Sequence, residues 1–184
     1  MNELVLIFHD SVLINNIVLT AFIGALLIIV ETPKFRDSFS AGLRLSAPLA
    51  LIAYLGWIFT HRIPAVYNNF LPGIYFLNSL LGIHIIKKSG LLREKWIRNL
   101  PGSTLGLVYL VAFQLFIREQ TGDQLADFFL ILGSVLGFYL LFIIIAGIKE
   151  QLNLNESDRI YRSEYVILLA MAFLAAVISG FELG

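Results

Sequence analysis

Apolar residues occur along the chain in six long runs that are separated by short polar clusters. The runs cover residues 4–30, 41–59, 70–86, 100–117, 125–148 and 165–181. A helix that crosses the roughly 30 Å hydrocarbon core of a bilayer needs about 17 to 25 mostly apolar residues, and each run reaches that length. The pattern predicts an all-α membrane protein with six transmembrane helices.

The type of apolar run argues against a transmembrane β-barrel. A barrel requires alternating apolar and polar residues in segments of about ten. Stretches such as FYLLFIIIAGI, residues 138–148, are apolar on every face. The polar clusters are too short to form a soluble domain, so we expect residues 1–184 to form a single integral membrane domain.

Lysines and arginines are divided unequally between the two sets of predicted loops. The first, third and fifth loops, with their adjoining helix ends, hold eleven of the 13, and the opposite side has only Arg62 and Arg118. Basic residues are enriched in the cytoplasmic loops of membrane proteins. This asymmetry predicts that both termini lie outside the cytoplasm.

Composition narrows the function further. The chain is 58% hydrophobic and 14% charged with no formal net charge, so we expect the lipid bilayer as a partner and no nucleic acid. It has no cysteine, which excludes thiolate-held zinc or iron-sulfur groups on its own residues. Neither a phosphate-binding glycine loop nor an HExxH or GxSxG motif is present, so no catalytic or metal-binding residue is predicted.

Two of the runs contain polar interruptions. The first run carries the adjacent pair Asn15 and Asn16, followed by Gly24, and the fourth opens with proline, glycine, Ser103 and Thr104. Amides at membrane depth need partners, because lipid offers neither donor nor acceptor. Two interpretations stay open: hydrogen bonds that hold helices together with an ordinary start to the fourth helix, or two broken helices at the membrane midplane.

The spacing of these interruptions suggests internal symmetry. They lie three spans apart, which places corresponding helices of the two halves in opposite orientation. The sequence therefore predicts two inverted three-helix repeats, residues 1–90 and 91–184, with helices 1 and 4 as the candidates for broken helices.

The fifth run contains two further features. Gly133 and Gly137, with Ser134 between them, form a small-xxx-small pattern that is typical of closely packed helices. Lys149 and Glu150 end the run on the predicted cytoplasmic side. We interpret them as a charge pair that marks the membrane interface or, alternatively, as a point at which an ion or proton enters.

The chain resembles a known family of membrane proteins. Residues 11–59, beginning SVLINNIVLTAFIG, are similar to the first two helices of the six-helix subunits of Rnf complexes and Na⁺-translocating NADH:quinone reductases. The similarity is greatest to the type called A in Rnf and E in the reductase, whose first helix reads V-x-x-N-N-F-V-L before a Leu-Gly-Leu-Cys-Pro turn. Residues 134–154 and 179–181 resemble that family's fifth and sixth helices.

The resemblance implies a multi-pass subunit of a bacterial or archaeal cytoplasmic (inner) membrane. It implies a paralogous six-helix partner of opposite orientation and other Rnf/Nqr-like redox subunits, with flavin or iron-sulfur cofactors in the partners. In the family, two cysteines from each of the paired subunits hold a cluster. Here Leu26 occupies the first cysteine position and Gly102 or Ser103 the second, and none of these offers a soft thiolate.

The resemblance favours an integral, non-catalytic membrane subunit of an ion-translocating electron-transfer complex that lacks the cluster-ligating cysteines. The alternative is a cluster-free re-use of the fold as a small transporter, channel or membrane scaffold of a non-redox assembly. A third hypothesis is a cluster that the partner holds with fewer thiolates. The residues proposed for an ion path or a broken-helix site are Asn15, Asn16, Gly24, Ser103, Thr104, Lys149 and Glu150.

Overall fold

The described part of the chain is a bundle of α-helices. The computed structural model describes residues 3–12, 35–60, 63–88, 104–120, 124–154 and 164–182. Within these residues lie six α-helices, numbered here in chain order: α1 (Glu3–Val12), α2 (Phe35–Thr60), α3 (Leu71–Lys88), α4 (Thr104–Gln120), α5 (Gln124–Leu154) and α6 (Glu164–Glu182). A 3₁₀-helix, Ala65–Phe70, leads directly into α3. The prediction of an all-helical architecture is confirmed for these residues.

Two of these helices are long and apolar enough to cross a membrane by length and composition. They are α2 and the segment Leu125–Leu152 of α5, and α6 contains a shorter apolar segment, Val166–Val177. Each of the six predicted runs overlaps a helix. Most of the first run lies outside the described residues, so six membrane crossings and the orientation of the termini stay predictions.

The apolar core lies where α2, α4, α5 and α6 meet. Leu49, Phe113, Phe142 and Met171, one from each helix, are almost completely buried there. Close approach of α2 to α5 depends on Gly42, where a Cβ atom would lie 2.9 Å from the Tyr139 ring. A side chain at this position would require the Tyr139 and Phe142 rings to move.

Small residues bring α1 against α5. The Phe8 and Phe129 rings meet edge to face at 6.5 Å, and one turn further along both helices Gly133 lies directly against Ser11. The predicted packing role of Gly133 is confirmed. Because both residue numbers rise together, α1 and α5 run in the same direction.

The long helices α2 and α5 run in opposite directions. Phe35 at the start of α2 contacts Glu150 near the end of α5, and Trp57 near the end of α2 contacts Asp127 at the start of α5. The helix α3 is also antiparallel to α2, because Ile52 of α2 contacts Gly82 while the later Thr60 contacts the earlier Tyr75. These are the directions expected if consecutive helices cross a membrane in alternating directions.

Basic residues collect at one end of the bundle. This basic end contains the start of α2 and the ends of α3 and α5, with Arg36, Lys88 and Lys149. The opposite end contains the end of α2 and the starts of α3 and α5, where Asp127 lies.

Candidate functional site

A buried amide cluster joins α2, α3 and α4. We use this name for Asn78, Ser79 and Gln114, of which Ser79 is fully buried and Gln114 is 3% exposed. Asn78 Nδ2 donates to Gln114 Oε1 at 2.8 Å, and Gln114 Nε2 donates to Ser79 Oγ at 3.0 Å. The same two amides also donate to helix carbonyls, those of Ile52 on α2 and Leu110 on α4. All three helices are therefore linked at one level.

A glycine on α2 makes room for the amide cluster. A Cβ atom at Gly56 would overlap Gln114 Oε1 and would lie 2.8 Å from Asn78 Nδ2. The cluster thus depends on a position without a side chain, and a buried amide displaced from it would lose hydrogen bonds that lipid cannot replace.

Two hydroxyl groups extend the polar contacts toward the opposite end. Thr60 Oγ1 donates to the Gly56 carbonyl at 2.7 Å, and it lies 3.0 Å from the Tyr75 hydroxyl. Since the threonine hydroxyl has one proton, the tyrosine is the donor of the second bond. The carbonyl of Tyr75 in turn accepts from Ser79 at 2.7 Å. The hydroxyls and the amide cluster form one polar track, which runs from Thr60 through Tyr75 to Gln114.

A buried carboxylate contacts α2 at the same end of the bundle. Asp127 is 4% exposed, and its Oδ2 accepts the indole N–H of Trp57 at 2.8 Å. Tyr54 stacks on the indole at 5.5 Å, and the Phe128 ring meets Tyr54 edge-on at 5.8 Å. The carboxylate belongs to the first turn of α5, where the partial positive charge of the helix favours an anion. A buried ionisable group between apolar helices is a candidate functional group.

The polar track supplies amide and hydroxyl groups rather than an acid–base pair. Such groups hold helices together and can solvate a small cation or a water molecule. Within the described ranges no group of three or more histidine, aspartate or glutamate side chains is placed to hold a metal ion. The geometry is that of a helix bundle with polar contacts inside, and the polar track places no nucleophile beside a general base.

The predicted charge pair at the end of α5 has a specific contact. Glu150 Oε2 accepts the backbone N–H of Phe35, the first residue of α2, at 2.8 Å. The first amides of a helix have no partner within it, so this carboxylate caps α2 from a neighbouring helix. Lys149 and Glu150 are both half-buried at the basic end. Their interpretation as a point at which an ion enters stays a hypothesis.

The other predicted site residues are not brought together by the described structure. Six of them lie outside the described residues: Asn15, Asn16, Gly24, Leu26, Gly102 and Ser103. Thr104 is the first residue of α4. The meeting of two broken helices therefore stays a prediction.

Sequence analysis missed Asn78, Gln114 and Asp127. Each lies inside a predicted apolar run, and the sequence does contain a signal for them. A lone amide or carboxylate among apolar residues is unfavourable unless a neighbouring helix offers a partner. That reasoning, applied to Asn15 and Asn16, holds equally for these three positions.

Comparison with known proteins gives relatives along almost the whole chain, although no family model matches it. The A-type subunit of the proton-translocating ferredoxin:NAD(+) oxidoreductase complex of Clostridium ljungdahlii is 24% identical over 187 residues, which is 96% of this chain and 94% of the relative. The A-type subunits of the ion-translocating oxidoreductase complexes of Syntrophotalea carbinolica and Alcanivorax borkumensis are also 24% identical, over 98% and 99% of this chain and 97% of each relative.

The similarity to these relatives is low but extends over almost the whole of both chains. It agrees with the resemblance of the first, second, fifth and sixth predicted helices to those of Rnf and Nqr subunits. The helical, apolar character of the described residues fits a membrane protein. These comparisons support membership of the Rnf/Nqr family of membrane subunits, and unlike that family's pattern the chain has no cysteine.

Proposed function

We propose that the protein is an integral subunit of an Rnf/Nqr-like complex of the bacterial or archaeal inner membrane, in which electron transfer is coupled to the movement of Na⁺ or H⁺. It pairs there with a paralogous protein of opposite orientation and contributes no cluster ligand. The observation that carries this proposal is the similarity to the A-type subunits of such complexes over 96–99% of the chain.

The packing of the described helices supports inverted repeats. An exchange of the two halves of the chain converts α1 to α4, α2 to α5 and α3 to α6. Under this exchange the α1–α5 contact corresponds to the α4–α2 contact, the α2–α3 contact corresponds to the α5–α6 contact, and the α2–α5 contact corresponds to itself. All of these contacts are present, but the extensive α3–α4 contact has no comparable counterpart between α6 and the described part of α1, so the support for a pseudo-two-fold axis is partial.

The distribution of charge supports the proposed orientation. The described basic side chains at helix ends, Arg36, Lys88 and Lys149, lie at one end of the bundle. This end would face the cytoplasm. The polar track from Thr60 to Gln114 and the carboxylate of Asp127 would then lie in the outer half of the membrane.

The residues of this chain do not fit the family's iron-sulfur cluster. Such clusters are held by cysteine thiolates, and this chain has none. Its role is therefore to hold partner subunits and to shape a path for ions or electrons whose cofactors belong to other chains. The residues proposed for that path are Asn15, Asn16, Gly24, Ser103, Thr104, Lys149 and Glu150, and the polar track adds Asn78, Ser79 and Gln114.

The test of the proposal is the composition of the native complex. The full chain, tagged at its chromosomal locus and extracted in mild detergent, should co-purify with a paralogous six-helix partner and with flavin- or iron-sulfur-containing subunits in fixed ratio. Recovery of the chain without any redox subunit by mass spectrometry would contradict the proposal.

The missing thiolates favour a second candidate function, a transporter, channel or scaffold without redox chemistry. The fold permits this, since inverted repeats also serve transporters that bind solutes at the midplane. Purified protein in liposomes distinguishes the two. Ion flux through the chain in the absence of an electron donor would support the second candidate and count against the first.

A further inference from the structure

Two ionisable side chains lie on the face of α1 that points away from α5. The helix packs on α5 through Phe8 and Ser11. The side chains of His9 and Asp10 are 56% and 40% exposed, and Leu6, one turn earlier, is exposed as well. We call His9 and Asp10 the α1 pair, and the surface that they form with Leu6 the outer face of α1.

The α1 pair lies well beyond the start of the apolar span of α5. Ser11 is level with Gly133, which follows eight residues after Leu125, where that span begins. At 1.5 Å per residue, Ser11 is about 12 Å and His9 about 9 Å from the level of Leu125. Glu3, the charged first residue of α1, falls at that level itself, as expected for a membrane boundary.

Lipid is a poor environment for this pair. Lysine and arginine at such a depth can extend a long side chain to the interface, but the side chains of histidine and aspartate are too short to do so over about 9 Å. Ionisable residues within membrane segments pair with other polar groups in the protein interior or face water. The outer face of α1 is therefore not expected to face lipid.

The two members of the pair do not satisfy each other. His9 Nδ1 lies 3.3 Å from Asp10 Oδ1, longer than the distance of about 2.7 to 2.9 Å that is typical of a charge-assisted hydrogen bond. Among the described residues, neither the second carboxylate oxygen of Asp10 nor His9 Nε2 has a hydrogen bond. A carboxylate at this depth needs donors, and an arginine or lysine side chain supplies them and balances the charge as well.

We infer that a transmembrane helix of a partner subunit docks on the outer face of α1 and places an arginine or lysine side chain against Asp10. Apolar residues of the same helix would pack on Leu6. The inference rests on the proposed function, because it requires a second protein in the membrane, and it adds the position of the contact and the chemistry of the partner's side chain.

The first test is the amount of each membrane subunit that co-purifies with the full chain in mild detergent. Asp10→Asn keeps the shape of the side chain and removes its charge, so one membrane subunit should fall at least about tenfold relative to this chain. The control Asp37→Asn removes an exposed carboxylate at the opposite end of the bundle and should leave every ratio unchanged. Unchanged ratios in Asp10→Asn would overturn the inference.

Stability of the isolated full chain shows whether the contact is between chains. Because Asp10 is exposed in the chain alone, Asp10→Asn should not alter unfolding followed by circular dichroism. A variant that unfolds more easily by itself would assign the carboxylate to the chain's own packing and would overturn the inference.

Photocrosslinking in living cells tests the chemistry of the partner. The residue p-benzoylphenylalanine in place of Leu6 lies on the outer face and leaves the α1 pair intact. It should attach to a transmembrane peptide of the subunit that Asp10→Asn releases, with an arginine or lysine within one turn of the attachment point. Attachment to lipid alone, or to a peptide without such a residue, would overturn the inference.

Water is the remaining alternative, and a cysteine tests it. His9→Cys introduces the only cysteine of the chain. Its reaction with a membrane-impermeant maleimide in the intact complex would place the pair in a water-filled entrance and overturn the inference, whereas protection from the reagent is expected.

The inference and the proposed function can fail separately. If redox subunits co-purify and Asp10→Asn changes no ratio, the inference fails and the proposed function stands. If no redox subunit co-purifies but Asp10→Asn still releases a membrane protein that crosslinks from Leu6, the proposed function fails and the docking face stands.

Discussion

The contact of α1 with α5 and the contact among α2, α3 and α4 hold helices together by different means. In the first, Gly133 lies directly against Ser11, and close packing of small residues brings the backbones together. In the second, the side chains of Asn78, Ser79 and Gln114 bond to one another and to helix carbonyls. Apolar surfaces gain little from meeting each other in lipid, so membrane helices depend on these two kinds of contact.

The difference between the two contacts predicts how each responds to change. A packed contact is sensitive to added volume, because an added side chain can be accommodated only if the two helices move apart. A hydrogen-bonded contact is sensitive to the loss of one partner, because no water is available to form a hydrogen bond with the remaining polar group. Four sets of variants test this comparison.

The largest effect is expected at Gly133. The Cβ atom of Gly133→Ala would overlap the Ser11 hydroxyl and would lie 2.8 Å from the Phe8 carbonyl, which is backbone and cannot rotate away. We expect a loss of about 2 to 3 kcal/mol in the free energy of unfolding, measured by circular dichroism in mixed micelles of rising dodecyl sulfate content. The control Gly73→Ala should be neutral or slightly stabilising, since open space surrounds it. Equal effects at both glycines would refute a packed α1–α5 contact.

Removal of one amide should have the next largest effect. Gln114→Leu keeps a similar volume but takes one partner from Asn78 and one from Ser79, so we expect a loss of about 1 to 2 kcal/mol. A double-mutant cycle with Asn78→Ala should give a coupling energy of about 1 kcal/mol, measured by the same unfolding assay. Additive losses would mean that the two amides do not stabilise each other.

A smaller effect is expected for the indole of Trp57. Trp57→Phe retains an aromatic ring beside Tyr54 but cannot donate to Asp127, so about 1 kcal/mol of stability should be lost. Asp127→Ala should remove the same bond together with the other contacts of this carboxylate, so the loss in the double variant should be smaller than the sum of the two single losses. The free energy of unfolding should be measured by circular dichroism, because Trp57→Phe changes the tryptophan fluorescence. If the single losses summed, the bond would contribute nothing.

The smallest effect is expected at the cap of α2. Glu150→Ala leaves the Phe35 amide without its carboxylate and should lower stability by about half a kcal/mol, because the site is partly exposed. Glu150→Gln keeps an acceptor oxygen and should recover part of the loss. A glutamine variant that is as unstable as the alanine variant would show that the hydrogen bond is not what matters there.

The two kinds of contact also differ in how far they could be predicted from the sequence. The glycine spacing in the fifth run is a local pattern, so the packing role of Gly133 could be read directly. Asn78 and Gln114 lie 36 residues apart on different helices. Each is visible as an unusual residue in an apolar run, but their partnership depends on how α3 and α4 pack.

Helix existence was predicted better than helix ends. The second run was predicted as residues 41–59, whereas α2 covers Phe35–Thr60, and the fifth was predicted as 125–148, whereas α5 extends over Gln124–Leu154. Hydropathy identifies only the part of a helix that lies in lipid. The 31 residues of α5 span roughly 46 Å, more than the hydrocarbon core of about 30 Å, so its charged and polar end extends beyond the apolar run.

The role of the whole chain can be tested most directly by ion transport that depends on an electron donor. Inverted membrane vesicles from cells with and without the gene should be supplied with NADH or reduced ferredoxin while Na⁺ uptake and acidification are followed. We predict that deletion abolishes donor-driven ion movement and that the intact chain restores it. Unchanged ion movement in the deletion strain, with the redox subunits still present, would contradict a role in the electron-transfer complex.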